Sequence, residues 1–412
     1  MFDVKAIRKD FPMFQNNKEF IYLDSSATSF KPQVVIDAVN DYYLNHSVNV
    51  HRGDYKLSYD TSVLYDGTKD VVARFINAKN AEEIIYTSGA TASLNLVAFG
   101  YALNNLKKDD VILLTEAEHA SNILPWFEVA KRKGAIIRYI PLDQDGYITE
   151  ENLLKVLDEK VKVCTFAEIS NVMGKIQNSK MIASLVHKVG GVVAVDGAQS
   201  VPHKPTDVID SDIDFLSFSS HKMLGPSGVG ILYGKYDLLK KMTPLCYGGD
   251  SNAFFYRDGR FALKDIPMRF ESGTPNIEGV LGLRAAINYL SHIGMENIAN
   301  YEKELTAYLH EKAKELDNIE VYNPNSDIGI FAFNVNGVFA QDVGGYLASC
   351  NIAVRSGTHC AKILPDVIKA SETVRASLYF YNTKEEIDYL FEVLKDCDLD
   401  KCLGAILWWM KI

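Results

Sequence analysis

The chain has 412 residues, 47% of them hydrophobic and 23% charged, and its 43 basic and 53 acidic side chains leave a formal net charge of −10. This length predicts two lobes rather than one small core, and the acidic balance argues against general nucleic-acid binding. No run approaches the roughly 18–20 apolar residues of a membrane span. The opening "MFDVKAIRKDFPMF" carries no leader pattern, and six scattered cysteines with no C-x-x-C pair fit a reducing cytoplasm better than a disulfide framework.

In chain order, "FIYLD" (20–24) reads as a strand and "PQVVIDAVNDYYLNH" (32–46) as a helix with a proline start. "EIIYTSG" (83–89) reads as a strand entering a turn, with "ATASLNLVAFGYAL" continuing as a helix. The runs 110–115, 135–140, 161–169, 191–196, 214–219 and 228–234 are mostly continuous apolar stretches, which favours a sheet buried on both faces under helices. Strand–helix alternation over 20–285 predicts an α/β unit with a mostly parallel sheet. Cys164, inside "VKVCTFAEI", reads as a buried strand residue.

"NAFFYRDGRFALKD" (252–265) predicts a β-hairpin, with Asp-Gly suggesting a two-residue type I′ turn. From about 286 helical patterns dominate, followed by "IGIFAFNV" and "IAVRSG" as strands and a last helix from 383. These predict a smaller α+β lobe made of 1–19 and 286–412, beside the large lobe 20–285. The apolar ending "CLGAILWWMKI" (402–412) reads as a segment docked on the body, with a partner or membrane-surface contact as the alternative.

Ligands of an open α/β sheet sit beyond the carboxyl ends of its strands, and several unusual residues fall at such ends. Asp196 ends the strand of "VVAVDGAQ", where it either caps the next helix or meets a cationic partner. Lys222, in "FSFSSHKMLGPSGVG", follows a strand and precedes a Gly/Pro turn. It is either a surface lysine or a Schiff-base lysine whose amine burial would free. "YTSGATASLN" offers backbone N–H groups and hydroxyls at a helix start, which suits a phosphate, although no P-loop pattern occurs. An anion cradle, a strand-end aspartate and a reactive lysine together are what pyridoxal 5′-phosphate needs. In "RSGTHC" (355–360), Cys360 has only His359 beside it and no Cys/His cluster at ligand spacing, and it sits in a turn after a strand. This argues against a metal ligand and a buried core residue and leaves a nucleophile open, with Arg355 and His359 candidates for favouring its thiolate.

With these pieces in place, the sequence resembles the fold-type I, class V aminotransferase-like enzymes, and within them the SufS-type (group II) cysteine desulfurases, which overlap the selenocysteine lyases. The motifs that carry the resemblance run almost end to end: "YLDSSATSFKP", "NVHRGDYKLS", "TEAEHASNILPW", "ISNVMG", "VDGAQS", "SSHKMLGPSGVG", "FESGTPN", "RSGTHCA" and "VRASLYFYNTKEEID". The resemblance implies that Lys222 links to the cofactor, His119 stacks on its ring and moves protons, Asp196 pairs with the pyridine nitrogen, and Gln199 meets the ring hydroxyl. It implies that Thr91, Ser219 and His221 bind the phosphate, with Thr274 reaching it from a second subunit of a homodimer, the 252–265 hairpin resting on that subunit. Asn171 and Arg375 would hold the substrate carboxylate, with Arg355 beside the cysteine. Cys360 would take the sulfur of L-cysteine, or the selenium of selenocysteine, and pass a persulfide to a SufE- or SufU-type acceptor serving iron–sulfur cluster assembly. Two positions depart from the pattern: Thr358-His359 stands where His-His is common, and Ser88 where an arginine often precedes the cradle glycine. Another lyase or aminotransferase acting on a small amino acid is the alternative within the fold, and it would not require Cys360.

Overall fold

The computed structural model describes residues 2–409, and within them the side chains of all but 366 and 406–409. Eight strands come first: β1 (Ile21–Tyr22), β2 (Ile84–Thr87), β3 (Val111–Leu114), β4 (Ile136–Tyr139), β5 (Val161–Ala167), β6 (Val192–Asp196), β7 (Phe215–Ser219) and β8 (Gly230–Gly234). They are followed by β9 (Asn252–Phe255), β10 (Phe261–Leu263), β11 (Ile319–Val321), β12 (Ile330–Val335), β13 (Ile352–Ala353), β14 (Arg355–Gly357) and β15 (Thr373–Ser377).

The large sheet has the order β2-β8-β7-β6-β5-β3-β4. Only β8 runs antiparallel to its neighbours. Every side chain of β3, β7 and β8 is buried, as the unbroken apolar runs predict for a sheet covered on both faces. Cys164 lies in β5 opposite Leu113, fully buried. The helix Gln33–Asn45 packs on Ile277–Ile293, and so does a long helix, Lys56–Phe75. That long helix had no clear apolar stripe in the sequence, because its buried face carries Ser58, Thr61, Thr68 and Lys69 among the apolar residues.

A second sheet, β11-β12-β15-β14, is antiparallel throughout. It packs over its own apolar core, which includes Leu305, Leu309, Phe331, Phe333 and Leu390. Burying a Leu or Phe side chain is worth about 1.5–3 kcal/mol, so this core contributes to the stability of the second sheet, while Tyr379–Tyr381 pack in the core of the large one. Leu23 joins it, and β1 pairs in parallel with β13, which ties the chain around residue 22 to the C-terminal part.

Three expectations need correction. "IAVRSG" is not one strand. It breaks at Val354, so that β13 pairs with β1 while β14 turns to pair with β15. The hairpin exists, but its turn is not type I′. Tyr256 and Arg260 close a three-residue loop, the N–H of Gly259 donates to the carbonyl of Tyr256 at 3.1 Å, and only Gly259 has positive φ (86°). This is a type I turn followed by a left-handed glycine, which places Asp-Gly one step later than a two-residue loop would. Third, His359 does not lie against the Cys360 thiol, as the site geometry below shows. The C-terminal helix Leu399–Trp409 packs on the helix Ala340–Ser349 with Cys402 buried. The remainder of the predicted docking segment, 410–412, lies outside the described residues.

Candidate active site

The carboxyl ends of the large sheet open into a cavity of about 230 Å³. Thr91, His119, Asn171, Asp196, Gln199, Ser219, His221, Lys222, Arg355 and Arg375 all line it. All but two follow the carboxyl ends of large-sheet strands, as the switch-point geometry of open sheets requires, while Arg355 and Arg375 come from β14 and β15 of the smaller sheet. Asp196 closes β6, Ser219 closes β7, and Lys222 ends the 3₁₀ turn Ser220–Lys222.

The cradle forms where β2 gives way to the helical stretch that starts at Ala90. Ser219 Oγ accepts the N–H of Ala90 at 2.8 Å, so its own hydroxyl hydrogen is free to donate into the cavity. Thr91 and Ser121 share a hydroxyl–hydroxyl bond of 2.7 Å at the rim. A Cβ added at Gly230 would sit 2.3 Å from Gly89 Cα, so β8 can approach the cradle only as glycine.

Four polar groups here lack partners that a buried group ordinarily finds. Burial raises the Asp196 carboxyl, whose Oδ1 accepts only the Ala198 N–H at 2.9 Å, and among the described residues it has no ion pair. Gln199 donates to the carbonyl of Ser26 at 3.0 Å and leaves Oε1 buried and unpaired. Burial pushes the Lys222 ammonium down to about 8, and no described group pairs with it. The Nε of Arg375 is likewise buried without an acceptor. Pyridoxal phosphate fits three of these groups, with a pyridine N–H for Asp196, a phenolic hydroxyl for Gln199 and a carbonyl carbon for Lys222, and its phosphate suits the helix start.

His119 caps the turn Ala120–Asn122, its Nδ1 accepting the Ser121 N–H at 3.1 Å. Burial, followed by the nearby charge of Lys222, lowers it to about 4, so the ring is neutral at ordinary pH and carries its proton on Nε2. The carboxylate of Glu118, one residue earlier, is fully buried on Thr115, Asn122 and the N–H of Ala167, and burial raises it to about 8. It anchors the His119 turn to β5.

Arg355 and Arg375 are directly opposed across β14 and β15. Arg375 is 1% exposed and donates to Asp24 Oδ1 at 2.9 Å and to the carbonyl of Asn171 at 3.1 Å. Two guanidinium groups on facing positions with one carboxylate between them leave a net positive site that favours an anion. Cys360 does not line the cavity itself. It sits half-buried at the edge, where Arg355 Nη2 donates to its Sγ at 3.4 Å. The Cys360 turn is strained: His359 (φ 51°) and Cys360 (φ 61°) are both left-handed. It is held by Asn171 Nδ2 on the carbonyl of His359 (2.9 Å) and by the Ala120 N–H on the carbonyl of Cys360 (2.8 Å). The His359 ring turns away into the interior, with Nε2 on Thr373 Oγ1 at 2.9 Å. Burial, then the charge of Arg375, lowers it to about 3, so it is uncharged and does not favour the thiolate. Thr274 is exposed in the loop before Ile277 and away from this chain's cavity.

Asp24, Ser26, Ser121 and Glu118 escaped the sequence reading. Asp24 carried the same signal that singled out Asp196, a carboxylate ending an apolar strand, and its partner lies 351 positions away.

The model of the family described as aminotransferase class-V matches residues 21–390. Proteins described as probable cysteine desulfurases from Staphylococcus epidermidis and Staphylococcus aureus are each 44% identical over 400 residues, covering 96% of both chains. Two solved structures superpose closely. A cysteine desulfurase from Escherichia coli, described as an S-sulfonic acid form, gives a TM-score of 0.89 at 33% identity, covering 98% of this chain and 99% of that one. One from Thermococcus onnurineus gives 0.91 at 35% identity, covering 95% and 97%. The chain therefore belongs to the aminotransferase class-V family and, within it, groups with the pyridoxal-phosphate-dependent cysteine desulfurases.

Proposed function

We propose that this protein converts L-cysteine to L-alanine and carries the abstracted sulfur as a persulfide on Cys360. The observation that carries the reading is the Cys360 thiol set 3.4 Å from Arg355 at the mouth of a cavity whose Lys222, Asp196 and Gln199 valences match pyridoxal phosphate. When bound, the cofactor supplies an electron sink that stabilises a carbanion at the substrate's α-carbon. Lys222 attaches it, and burial keeps the amine within reach of its neutral form. Asp196 and Gln199 hold its ring, while Thr91, Ser219 and His221 hold its phosphate. His119 keeps a proton at Nε2 where it can exchange with the reacting centre. Arg375 orients the substrate carboxylate with Asn171, whose amide also holds the Cys360 turn. Arg355 favours the thiolate of Cys360, which attacks the substrate sulfur: the S–S bond forms, the C–S bond breaks, and its electron pair stays on the carbon, which takes up a proton to become alanine's methyl group.

The rest of the reading follows the same likeness. The exposed hairpin, with Phe255 74% and Phe261 56% accessible, marks a face that a second copy would cover, and Thr274 of that copy would complete the phosphate site. The two-unit division into 20–285 and 1–19 with 286–412 draws support from the separate core around Phe331 and Leu390, with Leu23 crossing into that core and Phe11 and Phe14 into the large one. A cytoplasmic setting and a SufE- or SufU-type acceptor for iron–sulfur assembly fit a persulfide carried at a half-buried rim. Among the described residues no helix is long and apolar enough to cross a membrane. The test is to add L-cysteine to the purified protein and to quantify alanine and sulfide with and without reductant. Alanine formed with sulfide released only after reductant supports the reading, and alanine-free turnover refutes it. Selenocysteine, offered in parallel, measures the lyase alternative.

A further inference from the structure

The motif "YLDSSATSFKP" lines the cavity only at Ser26 and Ala27, and the residues that follow, Thr28–Lys31, grip the turn that carries Lys222. The carbonyl of His221, immediately before Lys222, accepts from the Ser29 N–H (3.0 Å), Thr28 Oγ1 (3.0 Å), Ser29 Oγ (3.1 Å) and Lys31 Nζ (3.2 Å). Ser29 Oγ in turn accepts the N–H of Leu224 at 2.8 Å, across a residue with left-handed φ (69°). One short segment therefore holds the peptides on both sides of Lys222 and Met223. Lys31 is the unusual member. Its ammonium has three donors, and all three are used: on Thr28 Oγ1 at 3.2 Å, on the His221 carbonyl and on the Ser29 carbonyl. Among the described residues it forms no ion pair with a carboxylate. A half-buried cation without a counter-charge is costly, and an apolar side chain of similar length would fill the space at lower cost.

We propose that Lys31 is a positioning residue for the reaction: its ammonium, fixed on the carbonyl oxygens of Ser29 and His221, sets the peptide that precedes Lys222 and so aims Lys222 Nζ at the cofactor's carbonyl carbon. The inference rests on the reading of Lys222 as the cofactor-linking lysine. Lys31 touches no reacting atom, and it acts through the main chain. Burial lowers its ammonium only to about 8, so it stays mostly charged at neutral pH. Losing the contact leaves the Ser29 carbonyl without that donor and takes one of four donors from the His221 carbonyl, which loosens the peptide before Lys222, and a shift of about 1 Å at a reacting group costs on the order of a hundredfold in rate.

The experiment compares wild type, Lys31→Met and Lys31→Arg, each loaded with pyridoxal phosphate. It reads the pH midpoint of the lysine–cofactor absorbance, kcat and KM for L-cysteine, and the melting temperature. For Lys31→Met we expect a shifted absorbance midpoint and a kcat lower by about tenfold to a hundredfold at nearly constant KM, with a folded, cofactor-binding protein. Lys31→Arg keeps the charge but not the three-point geometry and should fall between the two. It also decides the question if Lys31→Met does not fold. Variants with the wild-type midpoint and kcat, or a loss of activity that only follows the fraction folded with an unmoved midpoint, overturn the positioning role. A wild-type protein without the lysine–cofactor absorbance, or without alanine production, overturns the desulfurase reading and this inference with it, and the untreated control alone shows that.

Discussion

The two halves of the site are built on opposite principles. The Lys222 half is over-determined: β6 and β7 end side by side, one carbonyl takes four donors, and Gly230 packs where no Cβ fits. The Cys360 half is a short turn across two consecutive left-handed residues, held by Asn171, Ala120, Arg355, the His359–Thr373 bond and the Ala361 N–H on the Thr358 carbonyl. A cofactor bound for many turnovers is best met by fixed valences. A thiol that must reach a substrate and then surrender its sulfur elsewhere is better placed on a short, strained turn at the rim.

The comparison breaks most visibly at Lys222. Lys222→Ala should abolish turnover and the lysine–cofactor absorbance while the fold survives, because the sheet and the phosphate cradle remain. Far-ultraviolet dichroism and visible spectra on one sample check this, and normal colour and activity in the variant would misassign the lysine. On the other half, Cys360→Ala should lower cysteine desulfuration by orders of magnitude yet leave cofactor binding and the spectral response to added L-cysteine intact. Selenocysteine turnover should persist in part, since selenium leaves more readily. A variant that lost the cofactor as well would mean the halves are not separable.

Smaller effects sharpen the contrast. Removing Arg375 by Arg375→Leu deletes charge-assisted bonds worth about 1.5–3 kcal/mol each, so KM for L-cysteine should rise by roughly tenfold to a hundredfold in steady-state kinetics. The protein should also lose stability, because Asp24, whose carboxyl burial already raises, loses the guanidinium that offsets that burial. An unchanged KM would remove Arg375 from substrate binding. The smallest effect concerns pH. In the cofactor-free chain the Lys222 ammonium is pushed down to about 8 from 10.5. Between those values the unfolded chain holds a proton there that the folded chain has lost, so the penalty for burying the charge is full below about 8 and fades toward 10.5. Stability should therefore rise with pH in that window by at most about 1.4 kcal/mol per unit. Lys31 titrates in the same range, so the measurement is the difference in urea unfolding between the wild type and Lys222→Met. A difference that stays flat from pH 7 to 10 would show that Lys222 is well solvated.

Legibility in the sequence followed the same division. The large sheet was readable because buried parallel strands are unbroken apolar runs, as in "DVILLT" and "GVVAVD", and strand ends pointed to Asp196 and Lys222. The helix Lys56–Phe75 was obscured because it buries Thr61, Thr68 and Lys69. The break at Val354 was hidden because a change of sheet partner leaves no mark in local polarity. The turn at Gly259 was mistyped because Asp-Gly serves both loop lengths. His359, beside a reactive cysteine in sequence, points away from it to bond Thr373, a partner fourteen positions on that local sequence does not reveal. The Asp24–Arg375 pair depended on contacts between distant segments.

The central claim is that sulfur comes to rest on Cys360. Incubating the wild-type protein with L-cysteine, blocking thiols and mapping persulfide-bearing peptides by mass spectrometry tests it directly. The account predicts one added sulfur on the Cys360 peptide, in step with the alanine formed and removable by reductant, with Cys397 and Cys402 unmodified. Alanine production with Cys360 bare, or with the sulfur on Cys397 or Cys402, would contradict it.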